Sequence, residues 1–208
     1  MSSPSSHRRA APFIAGETAL LLVDMQRKWL LPKADETPGY FHLEAASRAI
    51  PNAVRLLAAA RAGGVEVLHT IIRSLTADGR DRSLDHRLSD IHVAPDDPDA
   101  LPVELLMPAH DEILLPKTSS GVFNSTAIDY VLRNLGIRYL VVAGIMTDQC
   151  VDMAVRDGAD KGYMVTCVAD ACVAKSEERH LAALRAFGGY CWTSDTDTVA
   201  ARFEALRS

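Results

Sequence analysis

The sequence lacks the features that assign a chain to several whole classes of protein. With a formal net charge of −5, it offers no excess of positive charge to nucleic acid or to an anionic membrane. No apolar run approaches the roughly 20 residues that a membrane-spanning helix needs. The opening MSSPSSHRRAAP has two arginines but no apolar segment after them, which is unlike a secretory signal. We therefore predict a flexible tail over residues 1–15, no nucleic-acid partner and no membrane association.

Cysteines are few, and their spacing predicts no disulfide framework or metal site. The four, at Cys150, Cys167, Cys172 and Cys191, form no CxxC pair, and 208 residues are enough to bury a core without disulfides. Free thiols are the default in a reducing compartment, so we expect a cytoplasmic protein. No GxGxxG motif follows the first apolar run, which argues against a nucleotide-binding role.

Short apolar runs alternate with segments of helical spacing along most of the chain. The apolar runs are TALLLVD, VEVLHTII, EILLP, IRYLVVAG, YMVTCVAD and YCWTS. The helical segments cover residues 43–64, 125–136, 147–162, 177–189 and 195–208. This alternation predicts a three-layer α/β/α fold around a mostly parallel, six-stranded, Rossmann-like sheet, with residues 16–208 in a single domain.

Two segments depart from this regular alternation. Pro51 lies inside the first helical segment, where it is either a first-turn proline or the break between a short helix and a longer one. Residues 73–110 follow an irregular pattern rich in aspartate and proline. Such a long excursion is unusual in a compact domain, and we predict that it forms a functional flap.

Three polar residues follow predicted strands: Asp24, Lys117 and Cys150. Because ligands bind beyond the carboxyl ends of parallel strands, the topology is expected to gather these residues at one sheet edge. A helix N-terminus and an ammonium favour a thiolate at Cys150, and a carboxylate can carry its proton to a leaving amine. The trio therefore permits acyl transfer without histidine. Taken singly, each residue more often has a structural role, as a cap, a solvated lysine or a packed thiol.

Four sequence blocks in order resemble one known family, the isochorismatase-like cysteine hydrolases, over about residues 18–194. The blocks are LLLVDMQ, LPKTSSGVFNST, VVAGIMTDQCV and DACVAKSEERHLAAL. The resemblance implies a catalytic triad of Asp24, Lys117 and Cys150, with Phe123 as an aromatic pocket residue. It also implies a cis peptide bond between Ile145 and Met146, and an oxyanion hole formed by the backbone N–H groups of Met146 and Cys150.

The resemblance also narrows the reaction. Isochorismatases in this family cleave a vinyl ether without depending on a cysteine, so the presence of Cys150 favours the amidohydrolase branch. Members of that branch release ammonia from small amides, ureides or carbamoyl compounds through a thioester-type intermediate. Nicotinamidases usually carry an Asp-x-His pair that helps to hold a metal, and the stretch HTIIRSLTADGRD has none. We therefore expect no metal and no cofactor.

Candidate substrate-binding residues come from the same regions. Gln26 is expected to position Asp24 or the substrate, and Trp29 is expected to cover the pocket or to pack in the core. Arg73 follows the second strand, where it either pairs with a substrate carboxylate or ureide oxygen or lies on the surface. With Phe123, these make up the predicted substrate-binding set. A depressed thiol pKa is expected at Cys150.

Two alternatives remain open at this point. The first is an isochorismatase-type ether hydrolase, whose dianionic substrate would need basic residues such as Lys33, Arg73, Arg80 and Arg82. The second is a non-catalytic α/β domain in which Cys150 is merely a reactive thiol. Family members commonly assemble, so a homodimer or homotetramer is expected as well as a small-molecule substrate.

Overall fold

The computed structural model describes residues 13–207 and contains one six-stranded sheet in which all strands are parallel. The strands are β1 (Thr18–Val23), β2 (Glu66–Ile72), β3 (Ile113–Lys117), β4 (Tyr139–Ile145), β5 (Met164–Val173) and β6 (Trp192–Ser194). Their order across the sheet is β3-β2-β1-β4-β5-β6. The α/β fold predicted from the alternation of apolar runs and helical segments is therefore confirmed.

Helices connect the strands and follow the last one. They are α1 (Arg27–Leu30), α2 (Tyr40–Glu44), α3 (Ile50–Gly63), α4 (Leu84–Leu88), α5 (Val122–Ser125), α6 (Ile128–Asn134), α7 (Cys150–Asp160), α8 (Glu177–Ala186) and α9 (Thr196–Glu204). Short 3₁₀ turns occur at Pro98–Ala100, Glu104–Leu106 and Ala205–Arg207. No helix within residues 13–207 combines the length and apolar character that crossing a bilayer requires.

The directions of the connections between strands indicate where on the sheet a ligand should bind. From β1 the chain passes through α3 to β2 on one side of the sheet order, whereas from β4 it passes through α7 to β5 on the other side. Right-handed crossovers in opposite directions put α3 and α7 on opposite faces of the sheet. The direction changes between the neighbouring strands β1 and β4, and ligands of open parallel sheets bind at such a switch point.

The strands nearest this point are buried on both faces, as a continuous apolar run predicts. All six residues of β1 and all seven of β4 are buried. Their register pairs Val23 with Gly144, at a position where the backbones approach closely. Gly144 has φ +133°, and a Cβ there would lie 2.2 Å from the carbonyl oxygen of Val23. Only glycine therefore allows β4 to run beside the end of β1.

Pro51 lies in the first turn of its helix. A π-helical turn, Ala45–Ala49, joins α2 to α3, and Pro51 occupies the first turn of α3, where its missing N–H is not needed. The first-turn reading of Pro51 is thus confirmed. Gly64 ends α3 in the left-handed region at φ +68°.

Several other helix and strand boundaries differ from the predicted ones. The helix predicted over residues 125–136 is shorter and forms α6, Ile128–Asn134. The short α5 precedes it and ends at Ser125, where Thr126 adopts an extended conformation. The helix predicted from residue 147 begins only at Cys150, and β5 continues to Val173. The expected tail falls mainly on residues 1–12, which lie outside the described residues. Phe13 is buried and packs against the rings of Tyr139 and Phe203.

Residues 73–110 pack against the end of the sheet. Val103 N–H bonds to Met25 O at 2.9 Å, and Ser83 N–H bonds to Thr118 O at 2.9 Å. Several side chains of the segment are buried, among them His86, Val93, Ala100 and Leu106. Backbone hydrogen bonds and apolar burial therefore hold this excursion beside the ends of β1 and β3.

Candidate active site

Asp24, Lys117 and Cys150 meet beyond the carboxyl ends of the central strands. Lys117 Nζ lies 2.9 Å from Asp24 Oδ2 and 3.4 Å from Cys150 Sγ. All three residues are buried, with Lys117 fully inaccessible to solvent. The fold thus brings together three residues that 126 positions of sequence separate at the extremes, as the strand-end argument predicts.

Asp24 is held by its neighbours on β2. Its backbone adopts φ +53°, an uncommon conformation for a residue with a side chain. The Asp24 N–H bonds to Thr70 O at 3.1 Å, and the Thr70 hydroxyl donates to Asp24 Oδ1 at 2.9 Å. These two bonds fix both the main chain and one carboxylate oxygen. Oδ2 forms an ion pair with the ammonium of Lys117 at 2.9 Å.

Lys117 is the last residue of β3, and its ammonium is surrounded by acceptors. It donates to the carbonyl oxygens of Ser119 (2.9 Å) and Ser120 (3.3 Å) and to Cys150 Sγ. Burial alone would lower the pKa of Lys117, but the charge of Asp24 and the contact with Cys150 outweigh burial and raise it. The lysine therefore remains an ammonium.

Cys150 is the first residue of α7 and lies against this ion pair. Burial raises the pKa of its thiol to about 12, with a further contribution from the negative charge of Asp24 that Lys117 only partly offsets. The predicted depressed thiol pKa is therefore wrong. A helix start and one ammonium do not compensate for the loss of water and a nearby carboxylate, so the resting residue is a neutral thiol.

The turn between β4 and α7 carries backbone N–H groups that lie near the Cys150 thiol. The Ile145–Met146 peptide bond is cis, and Thr147 N–H bonds to Val173 O at 3.0 Å. The Thr147 hydroxyl also lies 2.8 Å from His180 Nδ1 on α8, which fixes the turn from behind. Among the turn, loop and cap hydrogen bonds of residues 13–207, none uses the N–H of Met146 or Cys150 as donor.

A cavity of about 950 Å³ opens onto the thiol. Asp24 and Cys150 lie in its wall together with Met146, and Ser120 lines it beside Lys117. Much of the remaining wall comes from the segment after β1. Residues of that segment in the wall are Lys28, Trp29, Leu31, Lys33, Glu36, Thr37, Gly39, Tyr40, Phe41 and His42.

Of the predicted substrate-binding residues, Trp29 lines this cavity and Gln26 does not. The Gln26 side chain is fully buried and bonds to the backbone of Ile72 through both its ends, at 2.8 and 3.0 Å. It also donates to Ala100 O at 2.8 Å and accepts the indole N–H of Trp29 at 3.0 Å. All four hydrogen-bonding positions of the amide are used, so none remains for a substrate.

Arg73 and Phe123 are also absent from the cavity wall. Arg73 is half-buried, and its N–H bonds to Lys117 O at 3.1 Å, so its main chain belongs to the sheet edge. Phe123 packs against Tyr163, with ring centroids 5.9 Å apart. Its ring forms part of the core beneath α7, where Gly158 lies close to it.

Sequence reasoning missed several wall residues and supports. Thr70 carries a usable signal, since it forms the last pair between β2 and β1, opposite Val23 and one residue before Asp24. Tyr40 and Phe41 carry none, because only the fold brings the start of α2 over the thiol. Among residues 13–207, no three His, Cys, Asp or Glu side chains converge as metal ligands would. The expected independence from metal stays a prediction.

Comparison with known proteins agrees with this geometry. Residues 18–198 match the family described as Isochorismatase domain. Ureidoacrylate amidohydrolase RutB from Serratia proteamaculans (strain 568) is 29% identical, over 91% of this chain and 84% of that protein. The RutB protein of Pantoea ananatis (strain LMG 20103) is 32% identical, over 78% of this chain and 71% of that protein.

The solved structures include a similar fold of nearly equal extent. A cysteine hydrolase from Pseudomonas syringae pv. phaseolicola 1448A has a TM-score of 0.85 and 26% sequence identity, covering 94% of this chain and 96% of that chain. The family match spans the strands and turns that carry Asp24, Lys117 and Cys150. This chain belongs to the isochorismatase-like cysteine hydrolase family.

Proposed function

We propose that this protein hydrolyses the C–N bond of a small amide, ureide or carbamoyl compound through a covalent intermediate on Cys150, releasing ammonia. The observation that carries the proposal is the contact of the Cys150 thiol with Lys117, beside Asp24 and at the cavity wall. The two relatives named as ureidoacrylate amidohydrolases support the same reaction class.

In the first step, Cys150 Sγ attacks the carbonyl carbon while Asp24 accepts the thiol proton. A C–S bond forms, and the π electrons of the carbonyl move to its oxygen. Because the resting thiol is neutral, proton transfer accompanies the attack. Asp24 is suited to accept this proton, since the thiol of Cys150 also forms a hydrogen bond with its carboxylate.

Collapse of the tetrahedral intermediate breaks the C–N bond. Asp24 returns its proton to the nitrogen, so ammonia leaves and a thioester remains on Cys150. Water then attacks the thioester carbon and gives a proton to Asp24. The C–S bond breaks, the sulfur recovers that proton, and the acid is released. Lys117 stays an ammonium throughout and stabilises the negative charge on the carboxylate and on the sulfur.

The oxyanion is stabilised by the backbone N–H groups of Met146 and Cys150 in this proposal. Both residues line the cavity, and neither N–H is used in the turn hydrogen bonds described above. The hydrogen bond between the Thr147 hydroxyl and His180 Nδ1 supports the turn that carries these two donors. Loss of one such donor typically costs about a hundredfold or more in kcat.

Ether hydrolysis of the isochorismatase type receives less support from the cavity. A dianionic substrate needs several basic residues around it. Of the four basic residues suggested by the sequence, Lys33 lines the cavity, whereas Arg73, Arg80 and Arg82 do not.

Replacing Cys150 by alanine tests the proposal. Ammonia release from the best substrate among amides, ureides and carbamoyl acids should fall by about a thousandfold or more. Cys191→Ala is the matched control, because both cysteines are 6% exposed and Cys191 is outside the cavity wall. Undiminished turnover by Cys150→Ala would overturn the mechanism. A wild-type protein that is alkylated at Cys150 yet hydrolyses none of these compounds would favour the non-catalytic alternative.

We also propose a cytoplasmic location and a homodimeric or homotetrameric assembly. The four cysteines, all within the described residues, are thiols that form no disulfide with one another, which favours a reducing compartment. Fractionation of the native organism and measurement of the mass in solution test these two points separately.

A further inference from the structure

We propose that the organic group of the substrate is neutral and apolar or aromatic, and that it packs against Trp29. This inference rests on the proposed function, since it concerns the same cavity. The substrate that we propose is therefore unlike a small, charged ureide. Three properties of the cavity carry it: its size, the composition of its wall, and the pairing of its charges.

The cavity is larger than the reacting group requires. Its volume of about 950 Å³ is near the upper end of the roughly 300–1,000 Å³ that is usual for sites of drug-sized ligands. The carbonyl carbon must lie at Cys150, which occupies one part of the wall. The remaining volume is therefore available to the group attached to the carbonyl.

Nine of the 24 residues in the wall have large apolar or aromatic side chains. Three aromatic residues, Trp29, Tyr40 and Phe41, come from the short stretch of chain after β1. Aliphatic and thioether side chains complete the surface, contributed by Leu31, Ile72, Ile91, Ile145, Met146 and Met153. Burying an apolar group against such a surface is favourable in proportion to the area removed from water.

Trp29 is held in a fixed orientation. Its indole N–H donates to Gln26 Oε1 at 3.0 Å, and Gln26 is itself bonded to Ile72 and Ala100. The ring cannot swing away without losing this bond, and the buried amide would then lack a partner. A preorganised aromatic face binds an apolar group at little entropic cost.

Most charged side chains in the wall already have partners. Lys28 pairs with Asp97 at 2.7 Å, Asp152 pairs with Arg156 at 2.7 Å, and Asp148 pairs with Arg179. His42 lies 3.8 Å from Glu36 within the wall itself. The other charged residues of the wall, apart from Asp24, are exposed and carry both signs: Lys33, Asp85 and Lys175. The wall therefore has no concentrated positive charge that would select an anion.

A series of unbranched primary amides from acetamide to hexanamide, together with phenylacetamide, tests the proposal through kcat/KM. We expect a rise of about fourfold for each added methylene group, since each is buried. Trp29→Ala should flatten this dependence, whereas Trp192→Ala, the matched change at the other tryptophan, should keep it. Trp192 is on β6 and outside the cavity wall.

Charge is tested with the monoamide of adipic acid against hexanamide, and with ureidoacrylate. A preference for either anion by tenfold or more, or a rate independent of chain length, would overturn the proposal while leaving Cys150 catalysis intact. If the protein turns over none of these amides, a binding measurement tests the proposal instead. Phenylacetamide should change the Trp29 fluorescence of a Cys150→Ala, Trp192→Phe variant, and no change at millimolar concentration would refute it.

Discussion

Cys150 is the nucleophile and Asp24 is the base of the proposed reaction, and both residues are buried. Burial and the charge of Asp24 raise the pKa of the Cys150 thiol to about 12, so the thiol is almost entirely protonated at neutral pH and should react slowly with alkylating agents. Asp24 keeps one oxygen bonded to Thr70 and the other facing Lys117. The ion pair therefore holds the base ready, and the nucleophile forms only during the attack.

Alkylation kinetics provide the prediction at this scale. Without substrate, the rate at which iodoacetamide modifies Cys150 should rise about tenfold per pH unit from pH 7 to 10, because the thiolate fraction rises by that factor below the pKa. Measurement by mass spectrometry of the Cys150 peptide separates this thiol from Cys167, Cys172 and Cys191. A short peptide with one cysteine and blocked termini is the control, and its rate should level off above the ordinary thiol pKa of about 8.5. A plateau for Cys150 near pH 7 would contradict the raised pKa.

Individual residues show where prediction from sequence succeeds. Asp24, Lys117 and Cys150 could be placed together because each follows a strand of a parallel sheet, which fixes its edge. Gln26 and Phe123 could not be placed, because they lie two residues past Asp24 and six residues past Lys117, beyond the strand ends. In the fold Gln26 bonds to Ile72 and Phe123 packs against Tyr163, and neither lines the cavity.

At the scale of elements, the contact of β1 with β4 determines the spacing of the site. Gly144→Ala would add a Cβ 2.2 Å from Val23 O, one residue before Asp24, and would force the strands apart. We expect a destabilisation of roughly 3 kcal/mol, from overpacking and from positive φ, and a disproportionate loss of activity. Urea denaturation and turnover measure the two effects.

Gly162→Ala is the matched control for this substitution. Its φ is +94°, yet no heavy atom lies within 4 Å of the added Cβ. It therefore reports the cost of positive φ alone, about 1 kcal/mol, with activity retained. Equal destabilisation by the two substitutions would show that the close approach at Gly144 is unimportant.

A second contact between elements joins α3, β2 and the start of β3 through Glu112. Partial burial raises the pKa of Glu112, but hydrogen bonds from Arg61, Ala109 N–H and His69 outweigh it and lower the pKa to about 2. A lowered carboxyl pKa contributes stability that is complete above its ordinary value, 4.5, and is lost as the pH falls through about 2.

Glu112→Gln should therefore cost about 2 to 3 kcal/mol at pH 7, and the difference from the wild type should shrink between pH 4.5 and pH 2. Urea denaturation across that range measures it. Glu104→Gln is a suitable control, since Glu104 makes an exposed ion pair with Arg27 and should change stability by less than about 1 kcal/mol. A pH-independent difference for Glu112→Gln would contradict the linkage.

For the whole molecule, apolar periodicity was sufficient to predict the number and type of strands. It could not predict the wall of the cavity, because Tyr40 and Phe41 approach Cys150 only after α2 and α3 pack across the sheet. It also could not predict the thiol pKa, which depends on how completely Cys150 is removed from water. Local pattern thus determines the sheet and its edge, while properties of the enclosed site arise from the assembled fold.

The surface of the whole molecule bears on its assembly. Several leucines of the 73–110 segment are largely exposed: Leu75 (69%), Leu84 (62%), Leu88 (79%) and Leu105 (68%). Contact with a second copy would remove this apolar area from water. Multi-angle light scattering should give about twice or four times the chain mass of 22.6 kDa, and replacing Leu84 and Leu88 by glutamate should lower that mass if they lie in the contact. A mass of one chain for the wild type at micromolar concentration would contradict the assembly, and the cavity wall would then be complete within a single chain.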